Sequence, residues 1–384
     1  MKPNRCRRCG HGLHGEDPLP LRHQVTEVPR IRATVTEYRL HALPCPCCGA
    51  RTRAEVPEGV PTSAFGPVFS AMVALWRGRY KMSVRDVVEM ARDCFGVETS
   101  SGAVCAIEKR TSQALAEPYS AAVEHVRQQP AVHADETGWR EAKKKAWLWV
   151  VATTQVAVFR IQRSRGAEVI KALLTLDFAG ILVTDRWCAY NFVPLVQRQL
   201  CWAHLLRHFV GFEDYGRRAK RLGRSLQRQA EWMFHLWHRV RDGTLSPATF
   251  RRYLGPIRAQ ILAGLDEGTR LSQRKVAGQC REILTVSAAL FTFARFPDVE
   301  PTNNHGERCL RPSVLWRKCS FGTDSEAGSR FVERVMTAVM SLRLQHRNVL
   351  DFLIDANLAQ LNGTHAPSLL PRSSASSQPS ALAA

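Results

Sequence analysis

Ala131-Val132-His133-Ala134-Asp135-Glu136-Thr137-Gly138 decides how this chain is read. A short apolar run ends in a carboxylate, the pattern of a buried strand whose last residues leave the core. The pattern recurs at Ile181-Leu182-Val183-Thr184-Asp185-Arg186-Trp187. Outward from these two stretches, strands are legible at 146–152, 156–161 and 198–202. A helix is expected at 166–176 and a short one near 187–193. Three strands in series followed by alternating helix and strand predict a mixed sheet with helices packed on it.

That order matches a ribonuclease H-like fold. A third carboxylate, Glu307, lies in Asn303-Asn304-His305-Gly306-Glu307-Arg308, a segment that reads as a short helix. Carboxylates from separate elements that converge in space can hold two magnesium ions about 4 Å apart, the arrangement with which enzymes cut or join phosphodiesters. Each residue has a plainer reading. Asp often closes turns, and Glu307 has Arg311 four residues on, the spacing of a solvated helix ion pair. Glu136 is a rival ligand, but alternation along a strand sends it to the opposite face from Asp135.

A polyanionic substrate suits the rest of the composition. The 384 residues carry a net charge of +20, with arginine dominating the basic set. Arginine's planar fork matches phosphate. Such a chain points first to nucleic acid and second to an acidic membrane surface. No run of about 18 apolar residues is present, so a spanning helix is not expected. The N-terminal Met-Lys-Pro-Asn-Arg-Cys-Arg-Arg lacks the apolar core of a signal peptide. A cytoplasmic, nucleoid-associated protein is the expectation, with its twelve cysteines serving as thiols or metal ligands and not as disulfides.

Five segments follow. Residues 1–60 contain Cys6-Arg7-Arg8-Cys9-Gly10 and Cys45-Pro46-Cys47-Cys48-Gly49. This doubled spacing suits one structural zinc on Cys6, Cys9, Cys45 and Cys48, in a zinc ribbon whose intervening Ile31–Leu40 alternates like a strand. The plainer reading is unligated thiols in a loop. Residues 61–128 form a helical segment: Phe65–Tyr80, then Ser83–Cys94, a Gly96 turn, and a third helix capped by Ser101. A DNA-binding helix-turn-helix and an ordinary helical hairpin both fit. Residues 129–204 and 301–362 make the catalytic sheet and its last helix, 326–362. Residues 205–300 are a helical insertion, and 363–384 a Ser-, Pro- and Ala-rich tail expected to be disordered.

Cys201-Trp202-Ala203-His204 follows the last strand. Cys201 and His204 are expected to support the active-site floor. They are not expected to form a second zinc site, because two more ligands at suitable spacing are absent nearby. A buried Cys beside a histidine at a helix start is the plainer reading. Arg308, Arg311, Arg317 and Lys318 are candidates to neutralise phosphates, or else a solvated basic face. Trp139, Trp147, Trp149, Trp187 and Trp202 are read mainly as core, with base stacking open for one or two.

These motifs together resemble the bacterial insertion-sequence-66 family of DDE transposases. The matching stretches are His133-Ala134-Asp135-Glu136-Thr137, Thr184-Asp185-x-x-x-Tyr190, Cys201-Trp202-Ala203-His204 and Asn303-Asn304-x-x-Glu307-Arg308-x-x-Arg311-Pro312. Gln24-Val25-Thr26-Glu27-Val28-Pro29, the cysteine knuckle and Arg317-Lys318 also match. The resemblance implies a ribonuclease H-like core with a helical insertion before the glutamate. It implies Mg²⁺- or Mn²⁺-dependent cutting of element ends and their joining to target DNA. Asp135, Asp185 and Glu307 carry over as metal ligands, and structural Zn²⁺ on the four cysteines. A homo-oligomer on DNA and accessory proteins of the same element are the implied partners, with no membrane. The rival reading is a non-catalytic zinc-ribbon DNA-binding protein or decayed transposase; a nuclease or resolvase that cuts without joining is more remote. The sequence departs from the family at His305-Gly306, where Gly lowers helix propensity beside Glu307.

Overall fold

The computed structural model describes residues 1–371. Residues 1–60 contain no buried side chain. Their regular structure is one short antiparallel hairpin, β1 (Ala42–Pro44) and β2 (Arg51–Arg53), around the second cysteine knuckle. Ile31–Leu40 alternates as a strand should, yet is irregular and almost wholly exposed. Alternation makes a strand only where a partner strand and a core take up its two edges and one face, and this segment meets neither.

Four helices follow: α1 (Pro67–Gly78), α2 (Val84–Phe95), α3 (Ser101–Ala114) and α4 (Ala116–Arg127). Ser83 and Asp86 form a reciprocal capping box at the start of α2. Gly96, at φ 65°, ends that helix in the left-handed conformation. The cap of α3 is Ser100, whose hydroxyl accepts from Ala103 N–H, and not the expected Ser101. Val73, Trp76, Val87, Ala91, Val104 and Ile107 make a small core of their own.

The chain then enters a five-stranded sheet. Its strands are β3 (Ala131–Glu141), β4 (Lys144–Ala152), β5 (Ala157–Gln162), β6 (Ile181–Thr184) and β7 (Arg198–Leu200), with α5 (Ala167–Leu174) between β5 and β6. The order is β5-β4-β3-β6-β7. β3, β4 and β5 are antiparallel neighbours, whereas β6 and β7 add in parallel. The helix expected near 187–193 is a single 3₁₀ turn, Cys188–Tyr190.

Residues 205–300 form a helical layer of α6 (Trp202–Gly211), α7 (Arg217–Arg241), α8 (Pro247–Thr269) and α9 (Arg274–Thr285). Phe209, Trp237, Phe250 and Phe293 of this layer share one core with Ile181, Val183 and Leu200 of the sheet. The other core joins Val132, Ala134, Leu148 and Phe159 to α3, α4, α5 and the C-terminal helices.

Those last helices are α10 (Asn304–Ser320), α11 (Glu326–Leu344) and α12 (Val349–Asn362). The single helix expected over 326–362 is therefore two. His346 takes φ 55°, and Asn348 caps a new start by accepting from the N–H groups of Leu350 and Asp351. α11 also closes the outer edge of the sheet. Along β5, Ala157, Phe159 and Ile161 donate their N–H groups to Ser341 (3.0 Å), Thr337 (3.1 Å) and Glu333 (2.6 Å). The expected disordered tail begins with an ordered stretch: Leu369 is buried, and Arg347 binds the Ser368 carbonyl at 2.9 Å. The remainder, 372–384, lies outside the described residues.

Candidate active site

Strand register builds the site. Along the parallel pair, Ala131 faces Ile181, Val132 faces Leu182 and His133 faces Val183. Carrying that register on by two residues sets Asp135 opposite Asp185. Partners in a ladder lie on one face, so that register puts both aspartates on the same face of the sheet. Asp185 directly follows β6, but Asp135 does not end its strand as the apolar run suggested: β3 runs on to Glu141, paired with β4 along that whole stretch. Asp185 is fixed there by accepting the N–H of Trp187 at 2.8 Å.

Glu136 faces the other way, as alternation requires. Its side chain is buried and accepts from Arg165 Nε (2.9 Å) and Nη2 (2.7 Å), and from the hydroxyl of Tyr190. Arg165 is sandwiched between Trp147 and Trp187, 4.5 and 3.8 Å from the ring centres. Trp139, Trp149 and Trp202 are core residues.

Glu307 reaches this end of the sheet from α10 through one buried residue. The Asn303 side-chain oxygen accepts from His133 Nδ1 (3.0 Å), and its amide nitrogen donates to the Ala134 carbonyl (2.8 Å). Its backbone N–H points at Cys201 Sγ, 3.1 Å away. Its carbonyl accepts the N–H of Glu307 at 3.1 Å, opening the helix. Asn303 thus ties α10 to β3 one residue before Asp135 and to the chain just after β7. Gly306 follows from this clamp: a Cβ there would come within 2.9 Å of the Asn303 side-chain oxygen. The helix gives up propensity at that position so that the amide can fold against it.

The electrostatics of the three carboxylates agree with their convergence. Burial, then the charge of Glu136, and further the charges of Asp185 and Glu307 push the Asp135 carboxyl up to about 7, against one N–H donated by Glu136. Their oxygens do not crowd into one coordination shell, however. Among the described residues, the group of three metal-ligand side chains whose donor atoms all lie within 4.8 Å of one another is Cys201, His204 and Glu307. His204 Nδ1 lies 3.7 Å from Glu307 Oε1, and Arg207 Nη2 3.8 Å from Oε2. The alternative partner of Glu307, Arg311, makes no ion pair with it among those formed by the described residues. Burial pushes the Cys201 thiol up.

Of the other candidates, Arg308, Arg311 and Lys318 are exposed and free to meet phosphate. Arg317 is not: its Nη1 donates to the Gly138 carbonyl at 2.6 Å and to Thr137 at 3.3 Å, tying the end of α10 to β3. The two cysteine knuckles each form. The N–H groups of Gly10 and Gly49 return to the carbonyls of Cys6 and Cys45 at 2.9 Å, with the glycines at φ 74° and 70°. The structure does not bring the two pairs of sulfurs into a common cluster.

Sequence reasoning missed Asn303 as the clamp and Arg207 as a neighbour of Glu307. The Asn303-Asn304 doublet before a glutamate helix was a signal, but of a cap. In the event, Asn303 makes no side-chain cap bond and spends its amide on the sheet. Arg207 lies 100 residues from Glu307 in sequence, and nothing local marks it.

A mixed five-stranded sheet with helices packed on it defines an α/β protein, and its net charge is +20. A family model described as "Transposase IS66 family" matches residues 62–330, and the chain belongs to that family. It is also similar to "Uncharacterized protein y4qI" of Sinorhizobium fredii (strain NBRC 101917 / NGR234), 27% identical over 263 residues. That match covers 60% of this chain and 48% of the relative, so the chain spans about half of the relative's length. No helix among the described residues is long and apolar enough to cross a membrane.

Proposed function

We propose that this protein cleaves the DNA ends of an insertion element and transfers them to target DNA, with Asp135, Asp185 and Glu307 as the metal-binding carboxylates of a ribonuclease H-like core. The observation that carries the proposal is the nearness of Asp185 and Glu307 to Asp135, close enough for their charges to raise its carboxyl, with Asp185 directly following β6, the parallel neighbour of β3. The strand order supports the ribonuclease H-like reading: three antiparallel strands, with two more added in parallel beside the first.

The residues fit a divalent cation. Asp135 is held above its ordinary range partly by like charge from Asp185 and Glu307, a repulsion that a cation relieves. Ligands on opposite sides of two ions about 4 Å apart need not lie within a single shell, which accommodates the wider spacing of these carboxylates. Bound magnesium or manganese would supply an activated oxygen nucleophile and stabilise charge on the departing one. The chain's own part is positioning. Asp185 is oriented by the Trp187 N–H, Glu307 by the Asn303 clamp, and exposed Arg308, Arg311 and Lys318 offset phosphate charge.

Zinc on Cys6, Cys9, Cys45 and Cys48 is part of the same proposal. Each knuckle supplies half of a tetrahedral thiolate site, and the thiols lose their protons and draw together on binding. With α1–α4, this segment is proposed to grip the element's ends.

The test is incubation of the full chain with labelled candidate end DNA and Mg²⁺, reading cleaved and joined products. Joined product that vanishes in Asp135→Asn is the expected result. Binding without any nicking would favour a DNA-binding protein that keeps the fold alone. Nicking without joining would favour a nuclease.

A further inference from the structure

We propose that Cys201, His204 and Glu307 bind a thiophilic divalent cation, zinc in the first instance, at a site separate from the cysteine knuckles. Three observations meet there. The sulfur, imidazole nitrogen and carboxylate oxygen lie within 4.8 Å of one another. Two of the three atoms, His204 Nδ1 and Glu307 Oε1, are buried and have no hydrogen-bond partner. They also face each other at 3.7 Å, which is too long for a hydrogen bond. Two ligands on a tetrahedral zinc, each bonded at roughly 2.1 Å, stand about 3.4 Å apart.

The chemistry of the donor set points the same way. Thiolate and imidazole select zinc over magnesium. A thiolate and a carboxylate bring two negative charges to a cation with two positive ones, so the partly buried cluster closes without net charge. Three protein ligands leave a fourth position for water. The Asn303 N–H already points at Cys201 Sγ, the kind of outer-shell bond that orients a ligand. Cys201 and His204 stand at the start of α6, whereas Glu307 belongs to α10. The ion would therefore pin α10 to the end of β7 across the whole insertion. Sequence spacing hid the site because its third ligand is supplied from 103 residues beyond His204.

Binding itself does not depend on the transposase assignment. Only its consequence does, namely that Glu307 is shared between zinc and the catalytic cation. The test uses the full chain carrying Cys6→Ser and Cys48→Ser, which disables both knuckles, titrated with Co²⁺ as a spectroscopic stand-in for zinc. One equivalent with a sulfur-to-cobalt charge-transfer band is expected. Cys201→Ser should remove the band. His204→Ala, at a half-exposed position where folding is not at stake, should weaken binding at least about tenfold. In the otherwise unaltered chain, zinc content after dialysis should drop by one equivalent in His204→Ala. Absence of the band, or unchanged cobalt affinity and zinc content in His204→Ala, overturns the inference. An intact band in a protein that never cleaves DNA supports the site and refutes only the catalytic assignment. Cleavage that requires Asp135, without the band, does the reverse.

Discussion

The two cysteine knuckles and the carboxylate end of the sheet are both candidate metal centres, and they are built in opposite ways. Residues 1–60 bury no side chain and contain one short hairpin, so their ligands are held without a core. Asp135, Asp185 and Glu307 hang on a sheet with a core on each side and on a helix clamped by a fully buried Asn303. A site of the first kind acquires its structure from the ion, because binding energy is folding energy. A site of the second kind exists before the ion arrives, at the cost of holding like charges together.

The sharpest way to break that comparison is to change the preformed site. Asp135→Asn, Asp185→Asn and Glu307→Gln should each lose cleavage and joining in Mg²⁺ to below detection. Melting temperature should stay within a few degrees of the parent and end-DNA binding should be kept. A fully active variant among the three would falsify the assignment. Asn303→Ala touches no substrate, yet should lower activity about 10–100-fold, as loss of an outer-shell partner does. It should also cost about 1–3 kcal/mol by stranding buried polar groups. Calorimetry and single-turnover kinetics on one preparation separate the two effects.

The knuckles should respond to metal instead. Chelation, or Cys48→Ser, should open residues 1–60 to trypsin while the fragment from about residue 64 onward stays resistant. Equal resistance with and without chelator would place these cysteines among unligated thiols. Glu136→Gln gives a smaller change. It should leave cleavage within a few-fold of the parent, because its carboxylate serves Arg165 and Tyr190 on the far face, and cost about 1–3 kcal/mol through the weakened charged pair.

The last effect concerns pH and leaves the site untouched. Burial is the main cause that pushes the Glu333 carboxyl from 4.5 up to about 7, opposed by Arg330, the Ile161 N–H and Arg160. A carboxyl raised on folding favours the folded state while it is protonated. Its contribution is therefore complete below about 4.5 and fades as pH climbs through 7. Glu333→Gln should flatten the slope of stability against pH across that window, as read by urea unfolding.

Much of this was legible in the chain. The aspartates stood out because each ends an apolar run, and a parallel ladder sets such ends side by side. Glu136 could be assigned to the far face because alternation is local. What failed was whatever depends on partners distant in sequence. Ile31–Leu40 has a strand's pattern but no strand to pair with. The periodicity of 326–362 runs through His346, whose left-handed backbone and the Asn348 cap divide it. Arg317 resembles a phosphate ligand until the Gly138 carbonyl is seen beside it. Cys201 and His204 showed no third ligand-type side chain nearby because Glu307 reaches them from the far side of the insertion.

The row of acceptors that α11 offers to β5 bears on self-association. A sheet's outer strand ordinarily advertises unpaired N–H groups to any copy of itself. Here Glu333, Thr337 and Ser341, one helical turn apart, occupy those groups from within the same molecule. A neighbour's strand therefore finds the N–H groups of Ala157, Phe159 and Ile161 already taken, and the β5 edge offers it no ladder.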